Sequence, residues 1–141
     1  MQPGIEILLV DDSPNDIFVM QMALEELAFN AISHSTSNGA DALKFLSAHP
    51  VDIIITDLNM PVMNGLKLVE ALKSSELKRI PVIFLTASNS QDDINEAYRI
   101  GCACYIRKPL DKIELRHLIK FIDNWVRTVQ LPGRIQKGSN G

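Results

Sequence analysis

The stretch Val51-Asp52-Ile53-Ile54-Ile55-Thr56-Asp57-Leu58-Asn59-Met60-Pro61-Val62-Met63-Asn64-Gly65 decides the fold. Its first half is a short β-branched run. Ile53-Ile54-Ile55 has no polar alternation, which suits a strand buried on both faces of a parallel sheet. The run stops at Asp57, and Asn, Pro and Gly residues then mark a loop.

Moving outward, Ile5–Val10, Ile80–Thr86 and Cys102–Ile106 read as strands of the same kind, and Val51–Thr56 is the third in sequence. Ala31–Thr36 is a weaker, mixed run. Between them lie apolar residues at helical spacing: Ile17, Met20, Leu24 and Leu27; Ala42, Leu43 and Leu46; Leu66, Val69 and Leu72; Ile94, Ala97 and Tyr98. The last pattern is the longest: Leu115, Leu118, Ile119, Ile122, Val126 and Val129. Start signals agree. Asp12-Ser13-Pro14 reads as a cap followed by a first-turn proline, Asn38 opens the second helix, and Ser90 with Asp93 opens the fourth. Five successive strand–helix units imply an α/β fold. Its parallel sheet carries helices on both faces, joined by right-handed crossovers.

The chain has 141 residues, ample for one core, and 14 Lys+Arg against 17 Asp+Glu give a net charge of −3. That balance argues against a general nucleic-acid binder. Two cysteines are too few for a disulfide framework or a structural zinc site, and point to a reducing compartment. No apolar stretch approaches the ~20 residues of a membrane span, and the N-terminus has no signal-peptide pattern. The expected location is cytoplasmic. Residues 1–131 read as one domain and 132–141, rich in Gly and polar residues, as a flexible tail.

The strand ends are unusual. The first ends in Asp11-Asp12, the third in Asp57, the fourth in Thr86, and the fifth in Arg107-Lys108-Pro109. In a parallel sheet all carboxyl ends share one edge, where open α/β sheets bind ligands. Each residue alone has a structural reading. Asp11-Asp12 can cap a helix, Asp57 can start a turn, Thr86 can be a satisfied hydroxyl, and Lys108 can be solvated. Four polar endings on one rim are harder to explain that way. Clustered carboxylates repel, and a hard cation such as Mg2+ or Mn2+ relieves them. A cation, a lysine and a hydroxyl beside a free carboxylate form a site for a phosphoryl group, and the carboxylate can be its acceptor.

These residues resemble the receiver domain of two-component response regulators. The likeness lies in Val10-Asp11-Asp12-Ser13, Thr56 to Gly65, Leu85-Thr86-Ala87 and Lys108-Pro109, and extends from about Ile5 to Val129. It implies a flavodoxin-like (βα)5 three-layer sandwich with sheet order 2-1-3-4-5. It also implies roles. Asp57 is the phosphoacceptor; Asp11, Asp12, Asp57 and the backbone carbonyl of Asn59 hold Mg2+. Lys108, Thr86 and Ala87 serve the phosphoryl group, Tyr105 is the aromatic switch residue, and the bond before Pro109 is a candidate cis bond. Tyr105 and the stretches Phe121 to Trp125 and Thr128 to Pro132 are similar to the small single-domain regulators that partner phytochrome-type histidine kinases.

A receiver with no output domain signals by binding. Phe121 and Trp125 fall beside the core stripe of the last helix, either as its margin or as an apolar patch for association. The expected use is a homodimer through the α4–β5–α5 face, meaning the fourth helix (Ile94, Ala97, Tyr98), Cys102–Ile106 and the fifth helix (Leu115 to Val129). No nucleic-acid or membrane partner is expected. Two alternatives share the site: a relay intermediate passing the phosphoryl group to a histidine phosphotransfer protein, and a Mg2+-dependent phosphohydrolase. The second lacks a further catalytic acid, so no enzyme activity is expected beyond slow self-dephosphorylation. A flavodoxin-type cofactor binder ranks last, because an acidic rim repels a flavin phosphate. Cys102 and Cys104 read as small core residues on one face of the fifth strand, and the five methionines as packing residues. His34, His49 and His117 read as scattered surface positions.

Overall fold

Alternate residues of a strand point to opposite faces, and in the central strands both sets are apolar. In β1 (Ile5–Val10), β3 (Ile53–Thr56) and β4 (Val82–Thr86), one set is Ile7, Leu9, Ile53, Ile55, Ile83 and Leu85. The other set is Leu8, Val10, Ile54, Val82 and Phe84. A sheet apolar on both faces needs a helical layer on each. The first face is covered by α1 (Pro14–Leu24) and α5 (Lys112–Thr128) through Met20, Leu24, Leu118, Ile119 and Ile122. The second is covered by α2 (Gly39–Ala48), α3 (Gly65–Lys73) and α4 (Gln91–Arg99). Ala42, Leu46, Leu68, Val69, Leu72 and Ala97 make that contact. The outer strands β2 (Ala31–Thr36) and β5 (Cys104–Arg107) are only partly buried, as edge strands are.

All pairings are parallel and the order is β2-β1-β3-β4-β5, the flavodoxin-like sandwich expected. The computed structural model describes residues 4–26, 31–108 and 111–128, with side chains described through 125. The readings of Leu27, Pro109, Val126, Val129 and the 132–141 tail fall outside those descriptions.

The helices start where local chemistry dictates. Ser13, Asn38, Asn64 and Ser90 each accept the backbone N–H three residues on, at 3.2, 2.8, 2.9 and 3.4 Å. Asp111 and Glu114 form a reciprocal capping box at α5, with bonds of 2.7 and 3.1 Å. Helix α4 ends in a Schellman motif. The Cys102 N–H reaches the Ala97 carbonyl and the Gly101 N–H reaches the Tyr98 carbonyl, both at 3.0 Å. Gly101 supplies the positive φ of 98° that this turn requires.

Four expectations need correction. Strands three and four begin two residues later than their apolar runs. A 3-10 turn at Glu76–Arg79 precedes the fourth, and Pro81, with no N–H to give a ladder, lies outside it. The fifth strand is shifted to Cys104–Arg107, because the Schellman turn consumes Cys102. Cys102 and Cys104 therefore do not share a face. Cys102 joins the α2–α3–α4 core and Cys104 packs toward α1 and α5. Burial pushes the Cys102 thiol up to about 11 and raises that of Cys104, so both are poor nucleophiles. Met22 is 53% exposed and does not pack in the core, because it lies beside Phe18 and Val19 on the outer side of α1.

Candidate functional site

The loops after β1, β3, β4 and β5 open on the carboxyl edge of the sheet. Register puts Val10 beside Thr56, Thr56 beside Phe84, and Thr86 beside Arg107. The next residues along each strand are Asp11, Asp57, Ala87 and Lys108, so four chain segments meet there. Carboxylate oxygens of Asp11, Asp12 and Asp57 lie within 4.8 Å of one another.

Lys108 is the hub. Its Nζ donates to Asp11 Oδ2 at 2.6 Å and Asp16 Oδ2 at 2.9 Å, and lies 3.7 Å from Asp57 Oδ2. Asp16 was missed in the sequence, although it sits three residues after the α1 cap and faces the same rim. Asp57 is held by the backbone after it. Its Oδ1 accepts the Leu58 N–H at 2.6 Å and the Asn59 N–H at 3.4 Å. Its Oδ2 therefore faces the lysine. Asp11 Oδ1 accepts the Ser13 N–H at 2.9 Å. Asp12 and Asn59 are exposed at the mouth of the cleft.

The electrostatics follow from this crowding. Burial raises the Asp11 carboxyl above its ordinary 3.8, although hydrogen bonds from Lys108 and Ser13 pull against it. For Lys108, burial acts downward, yet the bonds to Asp11 and Asp16 and the charge of Asp57 outweigh it. Its pKa lies above 10.5. A lysine raised on folding contributes stability that is full below pH 10.5 and is lost as pH rises through the folded value. Urea unfolding at alkaline pH should show wild type losing stability more steeply above that point than Lys108→Met. Parallel curves would mean that the carboxylates do not stabilise the ammonium.

Thr86 is fully buried, and its Oγ1 accepts the Ser88 N–H at a long 3.4 Å. Ala87 next to it is exposed. Tyr105 spans the same loop. Its hydroxyl donates to the Ser88 carbonyl at 2.9 Å, its N–H donates to the Tyr98 hydroxyl at 3.1 Å, and its ring centroid lies 6.1 Å from that of Phe84. Ser88 was missed in the sequence, and Tyr98 was read only as part of the fourth helix's apolar pattern. Phe121 and Trp125 lie on α5, away from the rim, with rings stacked 6.1 Å apart. Phe121 is 49% exposed, whereas Trp125 packs on the α1–α5 core. The loop after Asp57 is tight. The Met63 N–H donates to the Pro61 carbonyl at 2.7 Å, with Val62 at φ 68°. Such a turn at a β-branched residue stores roughly 1–3 kcal/mol.

Asp11, Asp16 and Asp57 thus face one ammonium, and Asp12 joins Asp11 and Asp57 in an oxygen-only donor set that suits Mg2+ or Mn2+. Fold and rim together define a doubly wound α/β protein with an acidic, cation-competent cleft at its switch point. The chain belongs to the response regulator receiver domain family, matched over residues 7–120.

It is 34% identical to Response regulator Rcp1 of Synechocystis sp., over 92% of this chain and 95% of that one. The crystal structure of the phosphorylated cyanobacterial phytochrome response regulator RcpA superposes with a TM-score of 0.84 at 31% identity, over 93% of this chain and 100% of that one. The Mn(2+)-bound form of Rcp1 gives 0.81 at 30% identity, over 92% and 99%. Three other curated relatives are longer, and the chain spans 3%, 40% and 51% of them. Receiver domains bind Mg2+, are phosphorylated by histidine kinases, and in regulators of this type are generally not enzymes. Among the described residues, no helix is long and apolar enough to cross a membrane.

Proposed function

We propose that Asp57 accepts a phosphoryl group from a histidine kinase and that the receiver signals through a changed α4–β5–α5 surface. The observation that carries this reading is the meeting of Lys108 with Asp11 and Asp57 at the carboxyl edge. Asp57 Oδ2 attacks phosphorus, forming a P–O bond while the bond to the donor breaks, and the donor leaves with that electron pair. Asp11, Asp12, Asp57 and the Asn59 carbonyl would hold Mg2+, with Mn2+ as a substitute, and the ion would neutralise phosphoryl charge. Lys108 exchanges a carboxylate partner for a phosphoryl oxygen.

The new group carries about −1.5 to −2 charges and three strong acceptors. Thr86 Oγ1, whose present bond is long, turns toward it. Tyr105, tied to the Ser88 carbonyl, couples that loop to α4 and β5. Similarity to the cyanobacterial phytochrome response regulator RcpA supports a partner kinase of the phytochrome type. The 95% coverage of Rcp1 supports an output carried by the receiver's own surface. Exposed Phe121, stacked on Trp125, is the candidate centre of a phosphorylation-dependent homodimer.

The test is intact mass and size exclusion after incubation with a small acyl phosphate. A phosphoryl adduct should form with Mg2+ and not with chelator. Elution should shift to a dimer in wild type and stay monomeric in Phe121→Ala at equal phosphorylation. An adduct insensitive to chelator would remove the metal from the reading. A dimer that survives Phe121→Ala would remove the interface.

A further inference from the structure

His117 is exposed on α5, as expected, but His34 and His49 do not scatter. His34 Nε2 lies 2.8 Å from Glu6 Oε1, and His49 Nε2 lies 2.6 Å from the same oxygen. The two imidazoles are 4.8 Å apart between centroids, and Phe45 packs 5.1 and 5.2 Å from them. The chain topology explains the convergence. Glu6 and His34 sit on adjacent strands, with Leu8 opposite His34, so both project toward the layer that holds α2. Helix α2 runs back antiparallel to β2, and its C-cap His49 arrives beside the start of the sheet. The cluster is therefore at the opposite end of the strands from Asp57.

We propose that Glu6, His34 and His49 form a second metal site, selective for a borderline divalent ion of the Zn2+ class. Two imidazole nitrogens and one carboxylate are a zinc donor set, with a water in the fourth position. The three ligand atoms lie within 4.8 Å of one another. Zinc bonds of ~2.0–2.2 Å in a tetrahedron need ligand atoms roughly 3.4 Å apart, so the present contacts open by about 0.6–0.8 Å. His49 provides that freedom, with its side chain 46% exposed, while Glu6 at 13% and His34 at 25% are held in the wall. Phe45 shields one side, and the Glu6 N–H is fixed by Asp52 Oδ2 at 2.8 Å.

A carboxylate only accepts, so in the metal-free form each facing Nε2 bears the proton. Metal binding takes the Nε2 lone pair and leaves the proton on Nδ1. Mg2+ does not compete here, because it prefers oxygen donors. An occupied site ties β1, β2 and the end of α2 together, so it acts on stability and not on the acceptor rim. The reading does not depend on phosphorylation of Asp57.

The test is calorimetric titration of the full chain with Zn2+ in saturating Mg2+, which occupies the acidic rim. One Zn2+ per chain should bind, and the melting temperature should rise with Zn2+ concentration. His34→Gln and His49→Gln keep a polar side chain, and each should weaken binding at least tenfold and abolish the thermal shift. Co2+ should give visible ligand-field bands without the thiolate charge-transfer signal that Cys102 or Cys104 would produce. No saturable binding in wild type overturns the proposal. Equal affinity in both glutamine variants, or a thiolate signature, overturns it as well.

Discussion

Asp57→Asn should leave the fold intact and remove the phosphoryl adduct completely. The amide is nearly isosteric with the carboxylate. Its oxygen still accepts the Leu58 N–H, the 2.6 Å bond that orients the side chain. What disappears is the nucleophile. An amide nitrogen and oxygen share their lone pair, and neither attacks phosphorus as Oδ2 of a carboxylate does. One charge also leaves a crowded rim. The Asp57 charge raises the Asp11 carboxyl, so that pKa should fall toward its ordinary value. The expected outcome is no adduct by intact mass, with a melting temperature equal to or above wild type. An adduct of unchanged yield would move the acceptor to Asp11 or Asp12. A loss of adduct with a collapsed melting curve would show only that the variant is unfolded, so Asp57→Glu, longer by one methylene but still a carboxylate, is the companion. It should fold and phosphorylate far less, because its oxygens no longer meet the Leu58 N–H and Lys108 together.

Gly65→Ala should cost about 3 kcal/mol of stability and disturb the acceptor at the same time. Gly65 opens α3, and its N–H donates to the Leu58 carbonyl at 2.8 Å. A Cβ there would clash with the Asp57 carbonyl oxygen and would lie 2.7 Å from Phe84 Cε1 and 3.1 Å from Leu58 Cα. Two of those three neighbours are backbone and cannot swing away. Phe84 is fully buried and fills the space between β4 and α3. The helix must therefore lift, and the Asp57–Leu58 peptide moves with it. Urea unfolding measures the loss. Phe84→Leu in the same chain should recover only part of it, since trimming the ring leaves the clash with the Asp57 carbonyl. Full recovery would place the strain in the core and not at the acceptor peptide.

Gly65 shows how far local reading reached. The stretch from Asp57 to Gly65 carried the acceptor, the turn residues and the glycine in one line of sequence, and the resemblance to receivers rested on it. The caps at Ser13, Asn38 and Ser90 were equally legible, because a side chain bonding the N–H three residues on is a local event. The boundaries of strands three to five were less so. An apolar run does not show where ladder bonds begin, and Pro81 and the Gly101 turn moved those starts.

The partners of Lys108 mark the limit. Its place at a strand end was visible, but its bond to Asp16 depends on α1 packing against the rim, 92 residues away in the chain. The cysteines mark it again. Two residues apart suggests one face, yet that parity holds only within a strand, and Cys102 precedes it. The sequence by itself determined the order of strands and helices, their caps, the polar strand ends and the receiver family, since periodicity and motif spacing are properties of neighbouring residues. Only the tertiary structure decided that Asp16 joins the lysine and that Glu6, His34 and His49 meet. Those meetings depend on strand register and on where each crossover helix returns, and both arise from packing across the sheet.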